Sequence, residues 1–282
     1  MTLREWLRKG EADLSAGPHP DRARRDAESL LLHLIGKNRA WLLTHLGEDF
    51  GGCKAISYAA LLQRRLAGEP IQYISGECEF HGLLFRVTPA VLIPRPETEH
   101  LVEIALGLAA RIAAPRILDM GTGSGAIAIS LAHNWSEASI TATDLSSSAL
   151  DIARANAKRL GFAEQIRFVQ GDLLAPVAGE TFDLIVSNPP YVPEADRASL
   201  SVEVRDHEPA QALFAGPDGL EVYRRLIPAA FAALAPGGYL ALEIGFGQPA
   251  AIADLLESAG FSSTSFTPDL QNIPRVVTAQ RV

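Results

Sequence analysis

The stretch that decides the fold is FDLIVSNPPY, residues 182–191. Its aliphatic run LIV is typical of a strand buried inside a parallel sheet. The two prolines that follow have no backbone N–H for a sheet ladder, so the strand must stop at Ser187 and leave Asn188 at its carboxyl end. Ligands of open α/β sheets bind along that edge. The sequence therefore predicts a crevice that receives an amide, two stiff prolines and the ring of Tyr191, and we interpret it as the site of an acceptor group.

The residues after 115 alternate between strand and helix patterns, which is typical of a doubly wound α/β sheet. Strand patterns occupy residues 116–119, 139–143, 166–170, 182–187 and 239–244. Two further strand patterns, at 261–267 and 275–280, have no helical pattern between them. We therefore predict a Rossmann-like α/β sheet with an antiparallel pair of strands at one edge, in a domain that spans residues 97–282.

Two smaller parts are predicted ahead of this domain. Residues 1–68 carry four amphipathic helical patterns separated by glycines, which predicts a small all-α domain of four or five short helices. Residues 71–87, IQYISGECEFHGLLFRV, are rich in β-formers and have a turn signal at His81 and Gly82, which predicts a β-hairpin. A proline-rich stretch follows, so we expect residues 69–96 to form a hairpin and a stiff linker between two domains.

The composition excludes several classes of protein. A chain of 282 residues is long enough for a sizeable core in each of two domains. It has no run of about 18 uncharged apolar residues, and its amino terminus lacks the apolar core of a signal peptide. We therefore expect a cytoplasmic protein without a membrane partner. The two cysteines, Cys53 and Cys78, are too few for a disulfide framework or a zinc site, so we expect no bound metal.

The net charge of −8 is unevenly distributed. Residues 1–86 contain 12 Lys and Arg against 11 Asp and Glu, so the acidic excess lies in the rest of the chain. A duplex nucleic acid would need a basic stripe to neutralise its phosphates. We therefore expect no direct binding of nucleic acid.

A glycine-rich turn, Gly121-Thr122-Gly123-Ser124-Gly125, follows the first predicted strand of the sheet. Glycine lets the backbone turn sharply and lets a ligand approach where a Cβ would collide. Three alternating glycines exceed what a turn alone requires. The turn also fits a G-x-G-x-x-A dinucleotide fingerprint, so the glycines by themselves leave a nicotinamide dinucleotide and S-adenosylmethionine as open alternatives.

Three aspartates, Asp119, Asp144 and Asp172, end three successive predicted strands. Asp144 would bind ribose hydroxyls with either cofactor. Asp119 lies just ahead of the glycine turn, where its carboxylate can meet the ammonium group that S-adenosylmethionine has and a dinucleotide lacks. Asp172 can accept a hydrogen bond from the adenine amino group while Leu173 packs on the ring. Each aspartate alone can be a helix cap, but three at one sheet edge favour S-adenosylmethionine.

Transfer of a methyl group from a sulfonium to nitrogen requires positioning more than acid–base chemistry, and positioning can contribute roughly 7 to 11 kcal/mol. The side-chain oxygen of Asn188 and the carbonyl of Pro189 can each accept one N–H of a planar amide or aromatic amine. Tyr191 can stack on that plane and favour developing positive charge. We therefore assign Asn188, Pro189 and Tyr191 to catalysis, and these three together with Pro190 to substrate binding.

These motifs resemble those of class I methyltransferases that act on exocyclic or amide nitrogens. The helical amino-terminal part, the hairpin EFHGLLFRV and the linker IPRPETE at residues 93–99 make essentially the whole chain similar to the HemK/PrmC family. Members of that family methylate the side-chain amide of the glutamine in the Gly-Gly-Gln motif of class 1 peptide chain release factors. The resemblance implies S-adenosyl-L-methionine as cofactor and class 1 release factors as partners.

The resemblance also implies individual roles. Residues 121–125 would line the methionine and ribose of the cofactor, Asp144 would bind the ribose hydroxyls, and Asp172 with Leu173 would hold the adenine. Asn188 would touch both cofactor and substrate, and the helical domain would contact the body of the release factor. The segments EVRDHEP, residues 203–209, and ALEIG, residues 241–245, also resemble the family, but no role follows for them.

The motifs leave several alternative functions open. A related group of enzymes methylates a glutamine of a ribosomal large-subunit protein, and the core motifs do not separate the two groups. The spacer before the glycine turn and the carboxyl-terminal RVV, residues 275–277, favour the release-factor enzymes. The NPPY motif also occurs in DNA adenine methyltransferases, and the fold alone would suit a scaffold or an oxidoreductase. Asn272 departs from the family, which has glycine there, but Asn tolerates the left-handed backbone that such a turn needs.

Overall fold

The computed structural model describes residues 1–110 and 112–282. Its helices, in chain order, are α1 (Leu3–Leu14), α2 (Ala23–Ile35), α3 (Arg39–His45), α4 (Cys53–Leu66), α5 (Ile71–Ser75), α6 (Pro96–Ala109), α7 (Ala126–Asn134), α8 (Ser147–Leu160), α9 (Val202–His207), α10 (Glu221–Ala233) and α11 (Pro249–Ser258). Its strands are β1 (Glu77–Phe80), β2 (Leu83–Arg86), β3 (Arg116–Met120), β4 (Ser139–Asp144), β5 (Ile166–Gln170), β6 (Phe182–Ser187), β7 (Leu234–Glu243), β8 (Ser262–Pro268) and β9 (Pro274–Gln280).

The chain forms two compact units. The first, a helical unit, comprises Met1–Glu77 together with Ser199–Glu208, and the second comprises Cys78–Ala198 and Pro209–Val282. The helical unit thus includes a segment from far along the chain, which the expected domain of residues 1–68 did not contain. No helix in the described part of the chain is both long and apolar enough to cross a membrane.

Local signals in the sequence set the ends of the first helices. Thr2 and Glu5 form a capping box at the start of α1, in which the Glu5 backbone N–H donates to Thr2 Oγ1 at 3.3 Å and the Thr2 N–H donates to Glu5 Oε2 at 2.9 Å. Gly36 ends α2 in the left-handed conformation, with φ of 62°. Between the helices, the hydroxyl of the fully buried Tyr58 donates to the Ala27 carbonyl at 2.9 Å, so the one polar atom of this core ring is satisfied.

The segment Ser199–Glu208 belongs to the helical unit through buried charges. Arg65 of α4, only 3% exposed, donates from Nε to Asp26 Oδ2 at 2.7 Å and forms a second ion pair, from Nη1 to Glu203 Oε1 of α9. A Cβ on Gly68, whose φ is +89°, would lie 2.5 Å from Cγ1 of Val202. The segment 203–209, to which the sequence assigned no role, therefore belongs to the helical unit up to residue 208 and pairs with its buried Arg65.

The predicted hairpin is shorter than expected. Residues 71–75, predicted as β-structure, form helix α5, and only β1 and β2 pair as a two-stranded sheet. Tyr73 and Ile74 are buried in the helical unit, and tertiary packing of these side chains overrides their local preference for strands. The hairpin itself turns at His81 and Gly82, as the sequence predicted. It packs Phe80 against Phe85 in a T-shaped contact, with ring centroids 6.1 Å apart.

The second unit contains a seven-stranded sheet with the order β5-β4-β3-β6-β7-β9-β8. The first five strands in this order pair in parallel, whereas β9 is antiparallel to both β7 and β8. The predicted α/β sheet with an antiparallel edge pair is therefore confirmed. The turn between β8 and β9 holds Asn272 at φ 62°, the left-handed conformation that its side chain tolerates.

Helices cover both faces of this sheet, because successive side chains of a buried strand point to opposite sides. Ile117 and Leu184 lie in a core cluster with α6 and α7. Leu118 and Ile185, their neighbours along β3 and β6, lie in a second cluster with α10 and α11. All four side chains are buried, so both central strands are apolar on both faces, as in α/β proteins with covered sheets.

Candidate active site

The carboxyl ends of the parallel strands open into a cavity of about 210 Å³. Since β5, β4, β3 and β6 are neighbours in the sheet, the loops that follow them meet at this edge. The predicted site residues on its wall are Gly121, Gly123, Asp144, Asp172, Leu173, Asn188, Pro189 and Pro190. Asp119, Thr122, Ser124, Gly125 and Tyr191 were predicted with them but do not line the cavity.

The glycine turn leaves open space where side chains would otherwise stand. Gly121 and Gly123 have φ of 72° and 56°, and beyond each glycine and its two chain neighbours no heavy atom lies within 4 Å of the position that a Cβ would take. Gly125 differs, since a Cβ there would lie 2.9 Å from Ile129 Cδ1 and 3.3 Å from the Ala153 Cα. The first two glycines therefore keep the cavity open, whereas the third permits close packing of α7 and α8.

Asp144 ends β4 and shapes the glycine turn directly. Its Oδ2 accepts from the Gly123 backbone N–H at 2.9 Å, and its Oδ1 accepts from the Ser146 N–H at 2.8 Å. Burial raises the pKa of this carboxyl above its ordinary value, against the opposing effect of these backbone donors. The carboxylate thus holds the turn in place at the cavity wall.

Asp119 lies beneath the glycine turn and is fully buried. Its Oδ2 accepts from Thr122 Oγ1 at 2.6 Å and from the Ala128 backbone N–H at 3.1 Å. Its Oδ1 has no hydrogen-bond partner among the described residues, although it is buried. Burial raises the pKa of Asp119 to about 7. The side chain therefore braces the turn with one oxygen and keeps a spare acceptor on the other.

Asp172 and Leu173 follow β5 on the cavity wall. The Asp172 carboxylate pairs with the guanidinium of Arg225, and both side chains are about half exposed. Leu173 has φ of 50°, an uncommon conformation for a residue with a branched side chain, and its carbonyl accepts from Thr143 Oγ1 at 3.3 Å. The backbone thus bends sharply where the apolar side chain meets the cavity.

The NPPY motif follows β6 as predicted. Ser187 at the end of the strand donates from Oγ to the Met120 carbonyl at 2.7 Å and so ties β6 to β3. Asn188 is half-buried and donates from Nδ2 to Thr98 Oγ1 at 3.1 Å. Its Oδ1 makes no hydrogen bond within the described part of the chain. The amide is therefore anchored through its nitrogen and keeps its oxygen available.

A buried carboxylate, Glu243 at the end of β7, joins both ends of this motif. Its Oε2 accepts from Thr98 Oγ1 at 2.6 Å, and its Oε1 accepts from the hydroxyl of Tyr191 at 3.3 Å. The backbone carbonyl of Tyr191 accepts from Gln248 Nε2 at 3.0 Å. Tyr191 is therefore held at both its ring and its backbone, which explains why it supports the cavity rather than lining it.

Comparison with known proteins assigns the family. Residues 5–76 match the PrmC N-terminal domain, and residues 101–205 match the methyltransferase small domain. The release factor glutamine methyltransferase of Moorella thermoacetica is 44% identical over 282 residues, which are 100% of this chain and 99% of that protein. The chain belongs to the release factor glutamine methyltransferase family. The enzyme of the same name from Deinococcus radiodurans is also 44% identical, again over 100% of this chain and 99% of its own length.

Solved structures agree with the methyltransferase fold of this family. The catalytic domain of hMettl16, in complex with MAT2A 3'UTR hairpin 6, has a TM-score of 0.60 over 86% of this chain and 92% of that one. At 16% sequence identity this likeness concerns the fold alone. The predicted resemblance to the HemK/PrmC family is thus confirmed, as is an S-adenosyl-L-methionine-dependent methyltransferase.

The site residues fit this cofactor. Open space at Gly121 and Gly123 can receive a ligand close to the backbone, and the Asp144 carboxylate stands at the same wall. Behind this wall, the fully buried Asp119 keeps its Oδ1 without a hydrogen-bond partner among the described residues, although the residue does not line the cavity.

Sequence reasoning missed several parts of the site. Thr98 and Glu243 stand behind Asn188 and Tyr191, and residues 90–92, Leu145 and Arg225 line the cavity. Thr98 lies in the segment IPRPETE, which was interpreted as a linker, and Glu243 lies in ALEIG, which resembled the family without an assigned role. Because their contacts bridge strands and helices far apart in sequence, no local pattern could have paired them.

Proposed function

We propose that this chain transfers a methyl group from S-adenosyl-L-methionine to the side-chain amide nitrogen of the glutamine in the Gly-Gly-Gln motif of class 1 peptide chain release factors. The observation that carries the proposal is the state of Asn188, whose nitrogen is committed to Thr98 while its oxygen stays available at the cavity. An acceptor of that kind suits an N–H of a primary amide. The names of the full-length relatives support the same substrate.

The chain's own residues would act by orientation. When bound, the cofactor supplies a methyl group on a good leaving group. Asn188 Oδ1 would accept one N–H of the glutamine amide, and the carbonyl of Pro189 would accept the other. Two fixed acceptors hold the amide plane so that one face of its nitrogen points at the methyl carbon, and they stabilise the N–H protons as charge develops on nitrogen. The new N–C bond forms as the C–S bond breaks, the electron pair of the C–S bond stays on sulfur, and the nitrogen releases one of its two protons to solvent water.

The cofactor side of the cavity would bind by complementary polarity. Gly121 to Gly125 would line the methionine and ribose, and Asp144 would accept from the ribose hydroxyls. Asp172 would accept from the adenine amino group while Leu173 packs on the ring. When the cofactor binds, the Asp172 carboxylate would then either accept from the adenine and from Arg225 together or give up its ion pair with Arg225.

We further propose that the helical unit contacts the body of the release factor. A glutamine side chain alone offers few contacts, so recognition of one glutamine in a protein needs a second surface. The proposal places the enzyme in the cytoplasm, where release factors act. It involves no membrane and no direct contact with nucleic acid, in keeping with the acidic excess of residues 87–282.

The test measures radiolabelled methyl transfer from S-adenosyl-L-methionine to four acceptors side by side. They are an unmodified release factor, the same factor with its Gly-Gly-Gln glutamine changed to alanine, the large-subunit ribosomal proteins, and a DNA duplex. Label on the first alone is expected. Label on a ribosomal protein or on the duplex, with none on the release factor, would overturn the substrate assignment and leave the cofactor site intact.

A further inference from the structure

The buried Glu243 carboxylate has no part in the reaction described above, yet it connects the groups that would orient the substrate. It is 2% exposed and accepts from Thr98 and from Tyr191. Thr98, itself 4% exposed, also contacts the Asn188 amide. A chain of hydrogen bonds therefore runs from Tyr191 through Glu243 and Thr98 to Asn188.

We infer that Glu243, acting through Thr98, is a positioning residue that sets which way the Asn188 amide faces. This inference rests on the proposed function for its catalytic meaning, but the geometry behind it stands without a substrate.

Which group donates and which accepts in each of these hydrogen bonds follows from the number of hydrogens that each group carries. A threonine hydroxyl has one hydrogen to donate, and the 2.6 Å contact shows that Thr98 gives it to Glu243 Oε2. Thr98 Oγ1 can then only accept, so the group of Asn188 that faces it at 3.1 Å must be the Nδ2 amine. The Asn188 oxygen is thereby turned to the opposite side, where the glutamine N–H would need it.

Loss of the carboxylate would remove this constraint. Thr98 would be free to donate to Asn188, and the amide would then rotate to present Oδ1 to Thr98 and Nδ2 to the substrate. Two N–H groups would then face each other, which is repulsive and leaves the glutamine without its acceptor. Tyr191 would lose its partner at the same time.

The Glu243 carboxylate is held by hydrogen bonds and forms no close ion pair among the described residues. The hydroxyl of Tyr223 on α10 donates to its backbone carbonyl at 2.7 Å and does not touch its carboxylate. Of the charged groups nearby, Glu97 at the start of α6 opposes ionisation and Arg275 on β9 favours it. A buried carboxylate weakens a fold unless its hydrogen bonds compensate, so a neutral side chain of the same size would serve stability equally well.

The experiment compares Thr98→Val, Thr98→Ser and Glu243→Gln with the wild type, and uses Tyr223→Phe as a matched control. Tyr223→Phe removes a buried hydroxyl that contacts the same residue at its backbone only.

For each protein, kcat and KM for the release factor, the affinity for S-adenosyl-L-methionine and the melting temperature are measured. We expect Thr98→Val and Glu243→Gln to lower kcat about tenfold, the equivalent of one hydrogen bond, with cofactor affinity within about twofold of the wild type. Thr98→Ser keeps the hydroxyl and restores kcat, and Tyr223→Phe lowers the melting temperature with kcat retained.

A second readout does not depend on any substrate. In the free wild-type protein, the Asn188 side-chain NH₂ signals in a ¹⁵N correlation spectrum, assigned by their loss in Asn188→Asp, should be well separated because one hydrogen is bonded to Thr98. The signal of the bonded hydrogen should move towards the position of an unbonded amide hydrogen in Thr98→Val and stay in place in Thr98→Ser and Tyr223→Phe. Unchanged NH₂ signals in Thr98→Val, or equal kcat losses in Thr98→Ser and Thr98→Val, would overturn the inference. Absence of methyl transfer in the wild type would overturn the proposed function while the NMR result still decides the orientation.

The pH profile supplies a third readout. Burial raises the pKa of Glu243 to about 7, although the hydrogen bonds from Thr98 and Tyr191 lower it. A protonated carboxyl donates from one oxygen and so cannot accept fully from both partners. We expect the wild-type kcat to fall as the pH drops below about 7, and we expect that acid limb to be absent in Glu243→Gln. An identical acid limb in both proteins would contradict the role of the carboxylate.

Discussion

Two buried carboxylates support the cavity from behind, and each serves one half of it. Asp119 braces the glycine turn through Thr122, and Glu243 braces the NPPY motif through Thr98. Burial raises the pKa of each to about 7. At the scale of single residues, the site therefore depends on groups that do not line its wall.

Substitution of Asn188 should lower turnover, whereas substitution of Asp144 should lower the affinity for the cofactor. Asn188→Ala removes the proposed acceptor for the glutamine N–H, so kcat should fall by two orders of magnitude or more, as for loss of a positioned catalytic hydrogen bond. Cofactor affinity should change little. Asp144→Ala should instead weaken cofactor binding, because it removes both the proposed ribose acceptor and the bond to Gly123. Calorimetric titration with S-adenosyl-L-methionine and steady-state kinetics distinguish the two. Near-normal turnover of Asn188→Ala would disprove its assignment.

Asp119 should make the fold less stable as the pH rises. Burial raises the pKa of Asp119 in the folded state to about 7, from an ordinary 3.8. Below the lower value the carboxyl is protonated in both states and has no effect. As the pH rises towards 7 the unfolded state loses the proton first, so the free energy of unfolding falls across this window. Asp119→Asn should flatten that slope in urea denaturation from pH 4 to 8. Because Glu243 titrates in both proteins, the difference between the curves isolates Asp119, and parallel curves would refute the claim.

At the scale of elements, parallel strands determine where the site forms. The β3, β4 and β6 strands pair in register, so the loops after Met120, Asp144 and Ser187 emerge side by side. The glycine turn then serves two different purposes within five residues. Gly121 and Gly123 leave space for a ligand, and Gly125 allows the following helix to approach α8.

Alanine substitutions should separate these two purposes. Gly121→Ala and Gly125→Ala both place a Cβ on a left-handed backbone, at φ of 72° and 84°, which costs roughly 1–2 kcal/mol. Only Gly125→Ala also collides with Ile129 and Ala153, so it should be the less stable protein in denaturant titrations. Gly121→Ala should instead stay folded and bind S-adenosyl-L-methionine more weakly. Equal stability of the two variants would contradict this division.

At the scale of the whole molecule, the chain builds its helical unit from two distant segments. After the NPPY motif the chain supplies α9, whose Glu203 pairs with the buried Arg65, and then returns to the second unit at Pro209. The segment that follows the NPPY motif in the chain thus becomes part of the helical unit, which is the proposed binding surface for a release factor.

Removal of the buried cation should destabilise the helical unit. Arg65→Ala leaves Asp26 with the weaker contact to Arg25 at 3.9 Å, and Glu203 with contacts to Arg22 at 3.6 Å and His19 at 3.5 Å, so we expect a loss of about 3 kcal/mol. Arg64→Ala is the matched control, because its pair with Glu69 is exposed and should contribute under about 1 kcal/mol. Urea denaturation gives the stabilities, and limited proteolysis reports release of residues 199–208. A similar small loss in both variants would show that the buried pair does not hold this segment.

The amino-acid sequence by itself determined the strand pattern, the antiparallel edge pair, the glycine turn and the NPPY motif, because each depends on neighbouring residues. Breakers end strands, glycines permit left-handed turns, and apolar alternation marks buried faces, all within a few positions.

Only the tertiary structure decided what stands behind the motif. Thr98 meets Asn188 across 90 positions and Glu243 across 145, and the packing of helix α6 against β6 and β7 brings them together. The same holds for residues 71–75, where burial in the helical unit outweighs local β-propensity. Local chemistry is encoded by local spacing, whereas the orientation of the Asn188 amide depends on partners that folding alone supplies.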